Sequence, residues 1–186
     1  PKNDLDYCPP NLYGESKVVG EKLVREASDL NFNWVIVRPS SIWGPWFGAT
    51  YRGFFEVIVK KIYFNFSRKM CTKTYGYIGN VIYQINELLL SNESNGQTYY
   101  LGDYRPTDIK EWADEIALEI GYKPISVPHH FVLILAIFGD ILKKFNIHFP
   151  LSSFRLNNMT TDNILPLENT AAIAPNLPFK RKIANR

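Results

Sequence analysis

The chain has 186 residues, 46% of them hydrophobic and 15% aromatic, with 21 basic and 18 acidic side chains. This composition is that of an ordinary globular polypeptide, and it excludes a collagenous, disordered or disulfide-stapled chain. The net charge of +3 becomes −1 once the four cations of the acid-free tail, residues 175–186, are set aside. Such a distribution lacks the stripe of cations that nucleic-acid binding needs, so we expect no nucleic-acid partner.

The cysteine and histidine content predicts neither disulfides nor a metal site. Cys8 and Cys71 form no CxxC pair, and no Cys or carboxylate stands at ligand spacing from the pair His129-His130. A reducing, cytoplasmic location is therefore expected. The longest apolar run, residues 131–139, is about half of the ~20 residues that span a bilayer, which predicts a buried or interfacial helix.

The first half of the chain indicates a helix, a strand and a looser insertion. Apolar residues recur at helical spacing after a Pro-rich opening, which predicts a helix over 12–30. The short β-branched run 34–37, followed by Arg38-Pro39, is typical of a strand buried on both faces of a parallel sheet. From 40 to 77 the pattern loosens, with one amphipathic segment at 54–64 that favours a helix.

The second half indicates further α/β alternation. An apolar face between Val81 and Leu89 predicts a helix, and residues 98–101 predict a strand. Thr107 or Asp108 can cap the next helix, which Gly121 ends. An extended stretch at 123–128 precedes a helix over 129–146, and the last forty residues indicate only short elements. Two or three strands among four or five helices cannot complete a covered parallel sheet, so we expect an α/β chain that lacks its N-terminal part.

Tyr13 and Lys17 lie four residues apart at the start of the first predicted helix, and thus on one face. Oxidising a secondary alcohol requires a base for the hydroxyl proton while hydride leaves, and a phenol with a pKa of about 10 is a poor base at neutral pH. A nearby ammonium and a helix N-terminus favour the phenolate, and the ammonium can also bind a cofactor ribose hydroxyl. About one such pair is expected by chance, so the surroundings decide its weight.

Those surroundings form an ordered set of motifs. They are Tyr13-Gly14-Glu15-Ser16-Lys17 with Glu21, then Val35-Ile36-Val37-Arg38-Pro39, Ile42-Trp43-Gly44-Pro45, Tyr77-Ile78-Gly79-Asn80-Val81 and Thr98-Tyr99-Tyr100-Leu101-Gly102-Asp103. In this order they resemble the extended short-chain dehydrogenase/reductase family, the NAD-dependent epimerases and dehydratases. The resemblance covers most of the chain and is specific to the family rather than to one reaction.

The resemblance implies the C-terminal part of a Rossmann-type, doubly wound parallel sheet with a small mixed substrate-binding region. It implies NAD or NADP as cofactor, Tyr13 as catalytic base and Lys17 as ligand of the cofactor ribose. The segment Pro39-Ser40-Ser41-Ile42 would lie by the nicotinamide, and Arg38 would either pack behind the strand or take part in catalysis. The implied division is 1–45 for the end of the cofactor domain, 46–80 for an insertion, 81–105 for the return to the cofactor domain and 106–186 for the substrate region.

Two features depart from the family's pattern. Trp43 stands where the family usually has Tyr, which keeps an aromatic wall for the substrate and loses a hydroxyl. The glycine-rich phosphate turn and the catalytic Ser or Thr that the family places before the Tyr do not occur in these residues. We therefore expect the 186 residues alone to be inactive, although the whole protein would be an enzyme.

The substrate implied is a small molecule such as a nucleotide sugar, on which transient oxidation of a hydroxyl sets up epimerisation or elimination. Cations suited to its diphosphate are Lys73, Arg105 and Arg155. One alternative is a 3β-hydroxysteroid or sterol dehydrogenase, because the apolar run near 131–138 with Lys143-Lys144 suits a membrane surface, although membrane association is not the favoured reading. Another is a truncated, non-catalytic chain. Family resemblance also implies a homodimer, with Val19, Leu23 and Ala27 on the face of the first helix that would pack against the partner.

Overall fold

The computed structural model describes residues 3–27, 32–46, 48–66, 71–147, 149 and 151–180. Its helices are α1 (Leu12–Glu26), α2 (Ala49–Val59), α3 (Ile78–Leu90), α4 (Ile109–Glu119), α5 (His129–Lys144), α6 (Ser153–Thr160) and α7 (Glu168–Ile173). Its strands are β1 (Val35–Pro39), β2 (Ser41–Trp43), β3 (Phe64–Phe66), β4 (Thr72–Lys73), β5 (Tyr75–Tyr77), β6 (Gln97–Leu101), β7 (Thr107–Asp108) and β8 (Ile125–Val127).

The chain divides into two compact units. The first, unit 1, comprises Pro1–Ile42, Gly76–Asp103 and Pro166–Phe179. The second, unit 2, contains Trp43–Tyr75 and Tyr104–Leu165. The chain passes from one unit to the other within β2 and again within β5.

Unit 1 is built on a parallel pair of strands, β1 and β6, in register from Val35 opposite Gln97 to Pro39 opposite Leu101. Its buried cluster is formed by Val81, Leu88, Tyr99 and Leu101. Gln84 of α3 is fully buried and forms a reciprocal pair of hydrogen bonds with the backbone of Gly102, so α3 is fixed against the end of β6 without an unpaired amide.

Unit 2 has its own core. Strand β3 pairs in parallel with β8, and β4 pairs antiparallel with β7. The buried cluster contains Ile58, Tyr63, Cys71, Ile109, Ala113, Ala117, Val132, Ala136 and Leu156. Burial raises the pKa of the Cys71 thiol, which is the expected behaviour of an inert core cysteine.

Most predicted elements are present, and some boundaries differ. Asp108, rather than Thr107, caps α4, since its Oδ1 accepts hydrogen bonds from the backbone N–H groups of Lys110 and Glu111. The helix expected at 54–64 begins at Ala49 and ends at Val59, because Lys61 adopts a left-handed φ of 58° and Phe64 begins a strand. The estimate of two or three strands is wrong: the described residues form eight, most of them only two or three residues long.

The first helix ends sooner than expected within the described residues. Helix α1 runs to Glu26 and is followed by Ala27, whereas the prediction extended to Leu30. Residues 28–31 lie outside the described part of the chain. The predicted helix at 129–146 agrees closely with α5.

Candidate active site

The proposed base and its lysine stand on the first two turns of α1. Asn11 caps this helix by accepting a hydrogen bond from the Gly14 N–H at 2.9 Å. A Cβ on Gly14 would lie 3.1 Å from the Pro9 Cβ, so glycine permits the Pro9-Pro10 segment to pack closely on the helix start. Tyr13 is 72% exposed, and the Lys17 Nζ lies 5.2 Å from the centroid of its ring. The pair is therefore adjacent and accessible to a ligand.

Helix α1 is fixed to the sheet chiefly by charge. None of its 15 residues, all of them described, is fully buried. Arg38 of β1 instead donates two hydrogen bonds to Glu21, from Nε at 2.9 Å and from Nη2 at 2.7 Å. Bidentate pairing of this kind holds both partners in one orientation. It fixes α1 one turn beyond Lys17.

Arg38 also reaches two further elements. Its guanidinium donates to the backbone carbonyl of Asp4 at 2.7 Å and to the hydroxyl of Tyr100 at 2.8 Å, and it lies over the rings of Tyr7 and Tyr100. The sequence left open whether Arg38 packs behind the strand or acts in catalysis. The structure places it among residues 4–7, α1 and β6, as a connecting side chain.

These contacts shift the pKa values of Glu21 and Arg38 in the directions expected for a desolvated ion pair. The hydrogen bonds from Arg38 hold the pKa of the Glu21 carboxyl below its ordinary value, against the opposing effect of burial. The same hydrogen bonds raise the pKa of Arg38. Arg25 adds to this anchor, since its Nη2 donates to Thr98 at 2.6 Å.

The segment 39–42 follows the carboxyl end of β1, where open α/β sheets bind their ligands. The backbone N–H of Ser40 donates to the carbonyl of Leu101 at 2.8 Å, which continues the β1–β6 pairing. The Ser40 Oγ is buried and has no hydrogen-bond partner among the described residues. A Cβ on Gly76 would lie 3.3 Å from this oxygen and 2.8 Å from the Val81 side chain, so only glycine fits beside it.

These features fit one end of a nicotinamide cofactor. An unpaired buried hydroxyl at the end of β1 is a ready partner for a polar group such as a carboxamide. Tyr13 and Lys17 supply a hydroxyl and an ammonium from α1 in the same unit. The pyrophosphate end has no counterpart in these residues, since the sequence contains no glycine-rich turn.

The four predicted substrate residues all belong to unit 2. Trp43 is half-buried, and its ring lies edge-on to that of Trp112 with centroids 5.2 Å apart. Lys73 is half-buried on β4 opposite Thr107. Arg105 is exposed ahead of β7, and Arg155 is exposed on α6. The three cations thus stand on separate elements.

Sequence reasoning did not single out a supporting network at the start of α3. Asn80 is buried and donates to Asp103 at 2.6 Å and to the carbonyl of Phe179 at 2.9 Å, while Asp103 accepts the Tyr77 N–H at 3.1 Å. A Cβ on Gly79 would lie 2.5 Å from the Phe179 ring. The motif containing Gly79 and Asn80 was visible in the sequence, but its partner 99 residues away from Asn80 was not.

The sequence comparison finds a match over part of the chain. Residues 1–74 match the family model described as "Male sterility protein", one of the NAD-binding families. Among curated protein sequences none matches the chain.

The comparison with solved structures shows the fold. One similar structure is UDP-glucuronic acid 4-epimerase from Bacillus cereus in complex with NAD, at 13% identity and a TM-score of 0.65. The match covers 94% of this chain and 49% of the epimerase chain. A second is UDP-glucose 4-epimerase from Thermotoga maritima, at 15% identity and a TM-score of 0.55, where the match covers 86% of this chain and 46% of the epimerase chain. A third is the terminal R domain of the myxalamid PKS-NRPS biosynthetic pathway, at 22% identity and a TM-score of 0.63, where the match covers 89% of this chain and 44% of the R-domain chain.

The family model and the solved structures support two of the predictions made from the sequence. The match of residues 1–74 to an NAD-binding family model agrees with the resemblance to the extended short-chain dehydrogenase/reductase family, and the solved structures show a Rossmann-type α/β fold. The NAD-binding family model over residues 1–74 supports the predicted nicotinamide cofactor. The chain spans about half the length of the solved structures it matches.

Proposed function

We propose that the protein containing this chain is an NAD(P)-dependent oxidoreductase of the epimerase/dehydratase type. The observation that carries the proposal is the adjacency of Tyr13 and Lys17 on the exposed start of α1, with the ring and the ammonium 5.2 Å apart. This helix belongs to the same unit as the parallel strands β1 and β6.

Tyr13 takes the role of the base that removes the substrate's hydroxyl proton. The Lys17 ammonium stabilises the resulting phenolate and hydrogen-bonds the cofactor ribose. Residues Pro39–Ile42 line the nicotinamide end, where the unpaired Ser40 hydroxyl offers a hydrogen bond. The cofactor, when bound, supplies the hydride acceptor.

The substrate class we propose is a nucleotide sugar, in which a transient ketone activates a neighbouring carbon for epimerisation or elimination. Two of the similar structures are named for UDP sugars, which supports this class. Further support comes from unit 2, which contains Lys73, Arg105 and Arg155, because a bidentate Arg suits a diphosphate. Trp43 would form an aromatic wall for the substrate, and its contact with Trp112 would fix the indole's orientation.

The decisive test is Tyr13→Phe in the whole protein. Loss of the phenolic proton acceptor should lower kcat by about 10² to 10⁴-fold, the usual contribution of a positioned acid–base group. The Kd for the nicotinamide cofactor, measured by fluorescence titration, should stay near the wild-type value. Tyr83→Phe on α3, in the same unit and outside the proposed site, is the matched control. Near-full activity of Tyr13→Phe would refute the assignment.

A second candidate is a dehydrogenase of 3β-hydroxysteroids or sterols. It is favoured by the exposed apolar residues of α5, such as Ile134 and Phe138, which are 62% and 50% exposed. Turnover of a hydroxysteroid by the whole protein would support it, whereas saturable binding of a uridine diphosphate sugar would exclude it. A non-catalytic role would be favoured only if neither substrate class and no cofactor bound.

We also propose that the protein forms a homodimer through α1. Val19 and Leu23 are 56% and 59% exposed, and with Leu12 at 81% they line one face of the helix. Leu23→Gln should convert a dimer to a monomer in sedimentation velocity. A monomeric wild-type protein would contradict this proposal.

A further inference from the structure

The side-chain amide of Asn80 joins three segments of unit 1. Asn80 lies in the first turn of α3 and is only 1% exposed. Its Nδ2 donates to the Asp103 Oδ1 at 2.6 Å and to the backbone carbonyl of Phe179 at 2.9 Å, and its Oδ1 accepts the Phe179 N–H at 3.0 Å. Both Nδ2 hydrogens and the carbonyl oxygen are therefore used, which an aspartate or a hydrocarbon side chain of the same size could not reproduce.

Asp103 extends this network to the backbone beside Ser40. It follows Gly102, just beyond the end of β6, and its Oδ2 accepts the N–H of Tyr77 at 3.1 Å. The residue before Tyr77 is Gly76, where a Cβ would lie 3.3 Å from both the Gly102 Cα and the Ser40 Oγ. The Asp103 carboxyl group therefore joins two backbone segments that pack against the Ser40 hydroxyl.

The last segment of unit 1, residues 166–179, is also held by contacts that do not involve this amide. Thr170 is 1% exposed, and its hydroxyl donates to the backbone carbonyl of Tyr100 at 2.6 Å. The Phe179 ring lies edge-on to the Tyr77 ring, with centroids 5.0 Å apart. The segment that carries Phe179 is therefore docked both on β6 and at the start of α3.

We propose that Asn80 is a positioning residue for the nicotinamide end of the cofactor. By holding Asp103 and the Phe179 segment together, it fixes the backbone around the Ser40 hydroxyl, which receives the carboxamide. The inference rests on the proposed function, because that function puts the nicotinamide beside residues 39–42. Linkage makes the coupling reciprocal, so a bound nicotinamide also strengthens docking of the Phe179 segment.

The rest of the cofactor supplies a reference ligand. ADP-ribose has the adenosine, the pyrophosphate and the second ribose of NAD, and it lacks only the nicotinamide. The glycine-rich turn that binds the pyrophosphate in this fold does not occur in these residues. A defect confined to the nicotinamide end therefore weakens binding of NAD and spares ADP-ribose, whereas a general loss of structure weakens both. If the protein prefers NADP, NADP and 2′-phospho-ADP-ribose serve in the same way.

The test is Asn80→Asp in the whole protein, with both dissociation constants measured by titration calorimetry. A carboxylate at this position cannot donate to Asp103 or to the Phe179 carbonyl, so acceptors face acceptors. We expect the ratio of the Kd for NAD to the Kd for ADP-ribose to rise about three- to tenfold, the scale of one lost hydrogen bond. Asn92→Asp, at an exposed site two residues beyond the end of α3, is the matched control and should leave the ratio unchanged.

A second pair of variants keeps the test valid if the buried carboxylate unfolds the protein. Asp103→Asn replaces one of two acceptor oxygens with a donor, so it opposes either the Asn80 amide or the Tyr77 N–H without adding charge, and it should also raise the ratio. Combining Asn80→Asp with Asp103→Asn exchanges donor and acceptor, which restores the bond between the two side chains and the acceptor for Tyr77. The double variant should bring the ratio back toward the wild-type value, and thermal melts report the folding of each variant.

Four results would overturn the proposal. Equal increases in the two Kd values would assign Asn80 to folding alone, and an unchanged ratio in both single variants would remove it from the site. A double variant no better than the single ones would show that the effect does not pass through Asp103. A wild-type protein that binds neither ligand would refute the proposed function itself, and this inference with it.

Discussion

Arg38 shows how one side chain can position a helix that has little apolar packing of its own. Its two hydrogen bonds to Glu21 and its contacts with Asp4 and Tyr100 join three segments of unit 1. The side chains of Arg38 and Glu21 are only 18% and 17% exposed, so solvent screens the pair weakly. Helix α1, which carries Tyr13 and Lys17, depends on this pair.

Glu21→Gln should therefore destabilise the protein by about 2 kcal/mol at neutral pH, the scale of a hydrogen bond to a charged group. The folded-state pKa of Glu21 is lowered, so its stabilising contribution is present above pH ~4.5 and is lost as the pH falls through the folded-state value. The free energy of unfolding can be measured with urea between pH 3 and 7, at intervals of about one pH unit. It should depend less on pH in the variant than in the wild-type protein.

The matched control is Glu26→Gln, an exposed carboxylate at the end of the same helix. We expect it to change the unfolding free energy by less than about 0.5 kcal/mol. Equal effects of the two substitutions would mean that the Arg38–Glu21 pair contributes nothing particular to α1.

At the scale of the element, the approach of α5 to the segment before α6 depends on the absence of a side chain. Gly139→Ala would place a Cβ 1.9 Å from the Leu151 oxygen and 2.8 Å from the Phe149 ring. The backbone must move to relieve this overlap, and we expect a loss of about 1–3 kcal/mol in the free energy of unfolding.

Gly53→Ala in α2 is the matched control, since its Cβ would meet nothing within 4 Å. Alanine is the better helix former, so this substitution should raise stability by about 0.5–1 kcal/mol. Opposite signs in thermal melts are expected. A neutral Gly139→Ala would show that α5 is not held at backbone distance.

At the scale of the whole molecule, the proposed site accounts for only one end of the cofactor. Tyr13, Lys17 and the unpaired Ser40 hydroxyl suit the nicotinamide and its ribose. The pyrophosphate requires amides at a helix N-terminus after a glycine-rich turn. The sequence contains no such turn, and the chain covers about half of the structures it matches.

We therefore expect NAD or NADP to raise the Tm of the whole protein by several degrees at saturation, because ligand binding to the folded state stabilises it. The isolated 186 residues should show no such shift at the same cofactor concentration. Differential scanning fluorimetry measures both, with adenosine alone as the ligand control. Protection of the isolated chain would mean that these residues bind the cofactor without the glycine-rich turn.

Local sequence determined most of the elements and indicated the class of protein. Three local signals each extend over only a few residues, so they can be recognised in the sequence alone. They are the helical spacing after Asn11, the β-branched run at β1 and the Asp108 cap. The ordered motifs from Tyr13 to Asp103 indicated the family, and the match of residues 1–74 to an NAD-binding family model agrees with that interpretation. The roles of the individual site residues stay predictions.

Only the tertiary structure decided the contacts between distant segments. Arg38 forms hydrogen bonds with Glu21, Asp4 and Tyr100, which lie 17 to 62 residues away in the sequence. Asn80 forms one with Phe179, which lies 99 residues away. Such pairings depend on which strands become neighbours. The strands β2 to β5, β7 and β8 are too short to carry a periodic signal, so pairing partners stabilise them rather than their own sequence. In α5, likewise, only packing decided that Val132, Ala136 and Gly139 are buried while Ile134 and Phe138 stay exposed.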